Sequence, residues 1–293
     1  MRYRNCFLAA VVVVVVLVST TLPALAATFS TIAVPGAVFT APTGINDRGQ
    51  IVGYYIRNGV DHGFVLDNGV FTTIDVPGAD ATRALGINKQ GDIVGYYLIF
   101  GKPCCPLQQY GYLLHKGRFF TIGESFTEAT GINDRGQIVG KSNPLKVYNA
   151  GFGFVLDGGV FRTIDVPGAQ LRQGINNRGD ILGSTFVLHR GVVTTINVPG
   201  ASRTLCTGIN DHSQIAGTYT FGALGFVLDN AIFPTFVLAG VHGFVLDKGV
   251  FKPIDVPGAA GTLVTGVNDR GDVVGLYAVD SIGSVSHGFV MRQ

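Results

Sequence analysis

The chain holds only two glutamates, Glu124 and Glu128, four residues apart in one segment. Paired carboxylates can divide the roles of general acid and general base, so Glu124 with Glu128 or Asp80 is the pairing that hydrolase or lyase chemistry would use. No nucleophile elbow, metal-ligand spacing or phosphate-binding loop stands beside them. Histidine recurs in one context, at His62-Gly63-Phe64, His242-Gly243-Phe244 and His287-Gly288-Phe289. Residues repeated in this way serve repeated geometry, so these histidines are read as structural caps, and His115, His189 and His212 as solvated turn residues. Asp47, Asp134 and Asp269, then Asp67, Asp157, Asp229 and Asp247, then Asp75, Asp165 and Asp255, fall at three recurring turn positions. Aspartate favours turns through its bond to the following backbone. The sequence Asn-Asp-Arg-Gly offers too few oxygens for calcium and lacks the terminal Glu of a calcium loop. No catalytic residue, metal or cofactor is expected.

The elements that carry these residues are repeats. Gly-Ile/Val-Asn occurs at Gly44, Gly86, Gly131, Gly174, Gly208 and Gly266, at intervals of 42, 45, 43, 34 and 58 residues, a mean period near 44. Each unit carries four short apolar runs, which in the first are 41–46, 50–55, 63–66 and 70–76. Four strands per period is the signature of a propeller blade. Asn46-Asp47-Arg48-Gly49 suits a bulged hairpin, Asn68-Gly69 a type I′ turn, and Pro77-Gly78 a type II turn. Runs such as Ile51-Val52 and Phe64-Val65-Leu66 are apolar at consecutive positions, so both sheet faces must be covered, and stacking of the units would cover them.

The ends of the chain complement each other. An orphan strand, 29–34, matches the fourth strand of a unit, and the last unit stops after its third strand. The expected fold is therefore all-β: a six-bladed β-propeller of four-stranded repeats, closed by the amino-terminal strand. Seven blades or an open array are the alternatives, because Gly225-Phe226-Val227-Leu228-Asp229 duplicates the third strand at Gly243.

Arg2 and Arg4 precede an apolar run from Cys6 to Val18, followed by Ala24-Leu25-Ala26, the order of a secretory signal peptide. The expected domains are a signal peptide, 1–26, and a single propeller, 27–293. About 13 apolar residues fall short of the roughly 20 that span a bilayer, so no membrane association is expected after cleavage. The remainder carries 19 basic against 19 acidic residues, a balance that argues against a nucleic-acid partner. It keeps Cys104, Cys105 and Cys206, too few for a disulfide framework.

The succession Gly-Ile-Asn, Gly-Gln-Ile-Val-Gly and His62-Gly63-Phe64 resembles the extracellular HAF repeat family across about 29–293, with Gly in place of Ala in the His-Ala-Phe position and other units lacking the His. The closing Thr73-Ile74-Asp75-Val76-Pro77-Gly78 departs from that family's Leu-Gly-rich link. The resemblance implies export and a repeat fold; it carries no catalytic mechanism or ligand.

Links between blades and loops joining second to third strands should share one face of the ring. Asp61, Asp80, Glu124, Glu128 and Asp280 map there, as do all nine tyrosines beyond residue 26. Variable loops on a rigid scaffold are where recognition resides. The candidate binding residues are therefore Tyr55, Tyr97, Tyr110, Tyr148, Asp61, Glu124 and Glu128. The leading expectation is a secreted, extracellular or periplasmic, non-catalytic binding or scaffold protein with a glycan, peptide or protein partner. The alternatives are a carboxylate hydrolase or lyase, and a structural envelope or matrix component.

Overall fold

The structure, a computed structural model, describes residues 27–101, 107–143, 151–164, 174–222, 238–280 and 286–293. The signal segment, Tyr148, Cys104, Cys105, Asp165 and the first copy of the duplicated strand lie outside the described residues.

The strands form six four-stranded antiparallel sheets arranged as the blades of a propeller. The chain opens with β1 (Thr28–Ile32). The first blade is β2 (Phe39–Ile45), β3 (Ile51–Arg57), β4 (Val60–Asp67) and β5 (Val70–Ile74). The second is β6 (Ala81–Ile87), β7 (Ile93–Ile99), β8 (Gln108–His115) and β9 (Arg118–Ile122). The third is β10 (Thr127–Ile132), β11 (Ile138–Ser142), β12 (Phe152–Asp157) and β13 (Val160–Ile164). The fourth is reduced, with β14 (Gly174–Ile175), β15 (Ile181–Leu182), β16 (Phe186–His189) and β17 (Val192–Thr195). The fifth comprises β18 (Arg203–Ile209), β19 (Ile215–Thr220), β20 (Val241–Asp247) and β21 (Val250–Ile254). Its third strand is the second copy of the duplicated motif. The sixth contains β22 (Gly261–Val267), β23 (Val273–Ala278) and β24 (Ser286–Arg292), and β1 is its outer strand. Thr28 pairs with Arg292 and Ile32 with Gly288, so the ring closes by joining the two ends of the repeat array.

Glycine sets how closely the innermost strands approach. A Cβ at Gly131 would lie 2.8 Å from Gly174 Cα of the next blade, and one at Gly208 would lie 3.0 Å from Gly266 Cα. The recurrent Gly of Gly-Ile-Asn thus lets adjacent blades meet backbone to backbone. Between blades the core is a series of apolar layers. Val94 and Ile122 of the second blade, for example, pack with Ala129, Ile132, Ile138 and Phe154 of the third. Both faces of an inner strand are covered in this way, which is why its apolar residues run consecutively.

The axis is closed by hydrogen bonds from one repeated residue. The Asn46 side-chain amide donates to the Asn88 carbonyl, Asn88 to Asn133, Asn133 to Asn176, Asn176 to Asn210, Asn210 to Asn268, and Asn268 back to Asn46. The Asn46 side-chain oxygen also accepts the Arg48 and Gln50 amides, so one residue shapes its own turn and links to the next blade. This corrects the expectation that the neighbouring aspartate ties the turn. Asp47, Asp134, Asp211 and Asp269 instead accept backbone N–H groups of adjacent blades, from Asp269, Lys89, Asn177 and Asp211 respectively.

Candidate functional site

The two faces of the ring differ in what they leave unsatisfied. On the tight-turn face the six Ile/Val-Asn pairs, each followed in turn by Asp47, Lys89, Asp134, Asn177, Asp211 or Asp269, line an axial mouth whose polar groups bond to one another around the ring. Burial, together with the neighbouring carboxylates of Asp47 and Asp211, holds the Asp269 carboxyl above its ordinary pKa. Among the described residues no cluster of His, Cys, Asp or Glu is arranged to hold a metal ion.

On the opposite face, a shallow cleft of about 70 Å³ opens over the first three blades. Its polar floor is Asp61, Arg83, Tyr96, Gln109 and Glu128, and its walls include Leu98, Phe100 and Leu107. The floor arises where the repeat is broken. The position three residues before the Gly of each Gly-Ile/Val-Asn is Ala41, Leu205 and Leu263 in the first, fifth and sixth blades, but Arg83 in the second and Glu128 in the third. The position after the second-strand Gly is Tyr54, Tyr96, Lys141, Thr218 and Leu276 in the same register. In the fifth and sixth blades these positions hold Leu205, Thr218, Leu263 and Leu276 and carry no charge, and there Leu238 and Val241 pack with Leu263, Leu276 and Ala278.

The charges in the cleft are compensated locally. Asp61 Oδ2 accepts Arg83 Nε at 2.6 Å and pairs with Nη2 at 2.5 Å. Glu128 Oε1 accepts Gln109 Nε2 at 2.7 Å and pairs with Lys141 Nζ at 2.9 Å. The Arg83 guanidinium lies 4.2 Å from the centre of the Tyr54 ring and 5.8 Å from that of Tyr96. Burial opposes the charge on Arg83, yet Tyr54, Tyr96 and Asp61 hold its pKa above the ordinary arginine value, so it stays a cation. Burial pushes the Tyr54 and Tyr96 hydroxyls up, and both stay neutral at physiological pH. Among the described residues, Asp61 Oδ1, Glu128 Oε2 and the Tyr96 hydroxyl take no hydrogen bond. The cleft is thus a rigid polar floor with spare acceptors, facing an apolar rim.

Of the residues singled out from sequence, the structure brings Asp61 and Glu128 into this cleft. Glu124 is exposed in the link after β9 and is not among the lining residues. Asp80 accepts the Phe100 amide and so fixes one wall. Tyr55 is buried between blades, its hydroxyl paired with Thr73 and its ring stacked on His62. Tyr97 and Tyr110 repeat that arrangement in the second blade, with Tyr110 at the histidine position, a ring separation of 5.5 Å and the Tyr97 hydroxyl paired with Thr121. The same stack recurs as Tyr219 on His242, and His62 and His242 bond Asp75 and Asp255, which is the structural role expected of the His-Gly-Phe motif. His115 and His189 are less solitary than expected for turn residues, since they pair with Asp92 and Asp180. Sequence reasoning missed Arg83, Gln109 and Lys141, and placed Tyr96 on this face without choosing it as a binding residue. The signal that would have found them is the charged pair at a position otherwise held by Ala or Leu.

Neither a protein-family profile nor a curated protein matches the chain. Solved structures do. A putative TolB from Agrobacterium tumefaciens aligns with a TM-score of 0.52 and 12% identity, over 87% of this chain and 91% of its own. A gluconolactonase, XC5397 from Xanthomonas campestris, aligns with a TM-score of 0.50 and 10% identity, over 91% and 89%. One of two prolyl endopeptidases aligns with a TM-score of 0.50 and 11% identity over 90% of this chain, which spans 42% of that protein. The likeness is one of fold. At these identities it transfers neither residues nor reactions.

Proposed function

We propose that this chain is an exported, non-catalytic β-propeller related to the HAF repeat proteins, which binds a glycan or peptide partner through the cleft over its first three blades. The observation that carries this reading is the polar break in the repeat. Three adjacent blades place Asp61, Arg83, Tyr96, Gln109 and Glu128 around one opening where the fifth and sixth blades bury leucine and valine. Burying such groups is costly unless they are paired, and here each charge is paired while one oxygen of each carboxylate stays open to the cleft. Export rests on the residues of 1–26, whose order matches a signal peptide.

A hydrolase or lyase reading has one observation in its favour, the presence of Asp61 and Glu128 in the same cleft. Each carboxylate is already engaged by a cation, however, Asp61 by Arg83 and Glu128 by Lys141. A glycan and peptide array probed with the exported protein tests the binding reading. Retention of selected ligands by the wild type and its loss in Glu128→Gln supports it, and equal retention by both removes the cleft from recognition.

A further inference from the structure

We infer that the cleft takes a neutral, polyhydroxylated ligand, the non-reducing end of a saccharide, with its hydroxyls on the carboxylate floor and a C–H face against Phe100 and Leu107. The inference rests on the reading of the cleft as the binding site and narrows it to a ligand class.

The carboxylate oxygens open to the cleft set the class. Asp61 Oδ1 and Glu128 Oε2 are acceptors only, so a ligand must bring hydrogen-bond donors to them. An anion such as a phosphate or a uronate brings charge of the wrong sign. It finds one cation in the floor, Arg83, already engaged by Asp61. A cationic ligand meets the opposite problem, since Arg83 and Lys141 already occupy the two carboxylates. An apolar ligand would strip water from both carboxylates and return nothing. A hydroxyl both donates and accepts, so vicinal hydroxyls can donate to a carboxylate oxygen while accepting from the Tyr96 hydroxyl or Gln109 amide.

The rim supplies the other half of the chemistry. Phe100 and Leu107 are 47% and 37% exposed and both line the cleft. Phe100 is anchored through its amide to Asp80 Oδ2 at 2.6 Å. An aromatic ring beside a hydrogen-bonding floor suits a sugar, which has an apolar C–H face and a polar edge. Of the strands lining the cleft, β4, β7 and β8 are hydrogen-bonded on both sides within their sheets, while β6 and β10, which carry Arg83 and Glu128, are the innermost strands of theirs.

The test is calorimetric titration of the exported protein with four probes: methyl glycosides of neutral hexoses, glucuronate, inorganic phosphate and triglycine. The expected result is saturable binding of at least one neutral glycoside, weakened about tenfold or more by Phe100→Ala and by Glu128→Gln, with glucuronate and phosphate silent. Phe100 is half exposed, so its truncation leaves the fold intact, and an unchanged melting temperature verifies this. Binding of glucuronate, phosphate or triglycine in place of the neutral glycosides, with the same sensitivity to Glu128→Gln, overturns the saccharide inference and leaves the cleft standing. Binding of any probe that both variants leave untouched, or binding of none, overturns both.

Discussion

Replacing Asn133 by Ala isolates the bond network that closes the axis. Asn133 Nδ2 donates to Gln137 Oε1 at 2.7 Å and to the buried Asn176 carbonyl of the next blade at 3.0 Å. Its Oδ1 accepts the Arg135 and Gln137 amides at 3.1 and 3.0 Å. Four hydrogen bonds are lost at a net ~1 kcal/mol each. The turn amides can recover water and the Asn176 carbonyl keeps its bond from the Gly179 N–H, so the loss should reach at most about 4 kcal/mol. For a chain of this size that corresponds to a fall in melting temperature of roughly 8–16 °C. Urea unfolding followed by far-ultraviolet circular dichroism reads it directly, as a lower midpoint at an unchanged slope. Asp134→Ala, in the same turn, removes the two bonds its carboxylate accepts from Lys89 N–H and Asn177 Nδ2, and as the comparison should cost about 2 kcal/mol. Asn133→Asp keeps the acceptor and removes both donations. If Asn133→Ala costs less than about 1 kcal/mol, or if Asn133→Asp is as stable as the wild type, the ring of amide donations does not hold the blades together.

Three further outcomes are expected. A Cβ at Gly261 would fall 1.6 Å from the Leu238 carbonyl oxygen, so Gly261→Ala should displace Leu238 from its apolar layer and lower the melting temperature by several degrees; an unchanged transition in a thermal scan refutes that packing. Burial pushes the Cys206 thiol up to about 12, so iodoacetamide at pH 8 should leave it unmodified in the folded protein and alkylate it in urea, as mass spectrometry would read. Burial opposes ionisation of Asp180, but hydrogen bonds from His189 and Asn176 and the charge of Arg178 outweigh it and lower its pKa in the folded state. A depressed folded-state pKa gives stability that is present above the unfolded value, near 3.8, and is lost as pH falls through the folded one. Asp180→Asn should therefore flatten the decline of urea midpoints below about pH 4, and an identical decline in both proteins counts against it.

The architecture was legible because each local choice repeats. Asn68 and Gly69 take positive φ of 47° and 81°, as the Asn-Gly hairpin signal requires, and the orphan strand finds its partner in β24. The site was half legible. Asp61 and Glu128 stand out as acids off the repeat, but the tyrosines mislead, because Tyr54-Tyr55 and Tyr96-Tyr97 are neighbours in sequence. Successive side chains of a strand point to opposite faces. Tyr54 and Tyr96 turn towards Arg83, while Tyr55 and Tyr97 turn into the Tyr-His and Tyr-Tyr stacks. Arg83 escaped because an arginine in an apolar strand carries no motif of its own. Its meaning appears only when the blades are aligned on their innermost glycine.

The pairing of β1 with β24 also sets a clock. With synthesis at about 5–20 residues per second, the first strand is made roughly 10–50 s before its partner exists. Throughout that interval Thr28, Phe29, Ser30, Thr31 and Ile32 must avoid every other strand edge the ribosome delivers, and three hydroxyls in five residues keep that waiting segment wettable. Blades can form and stack before then, but the ring cannot close until β24 is made, so losing the last few residues should leave β1 without its partner and the ring open.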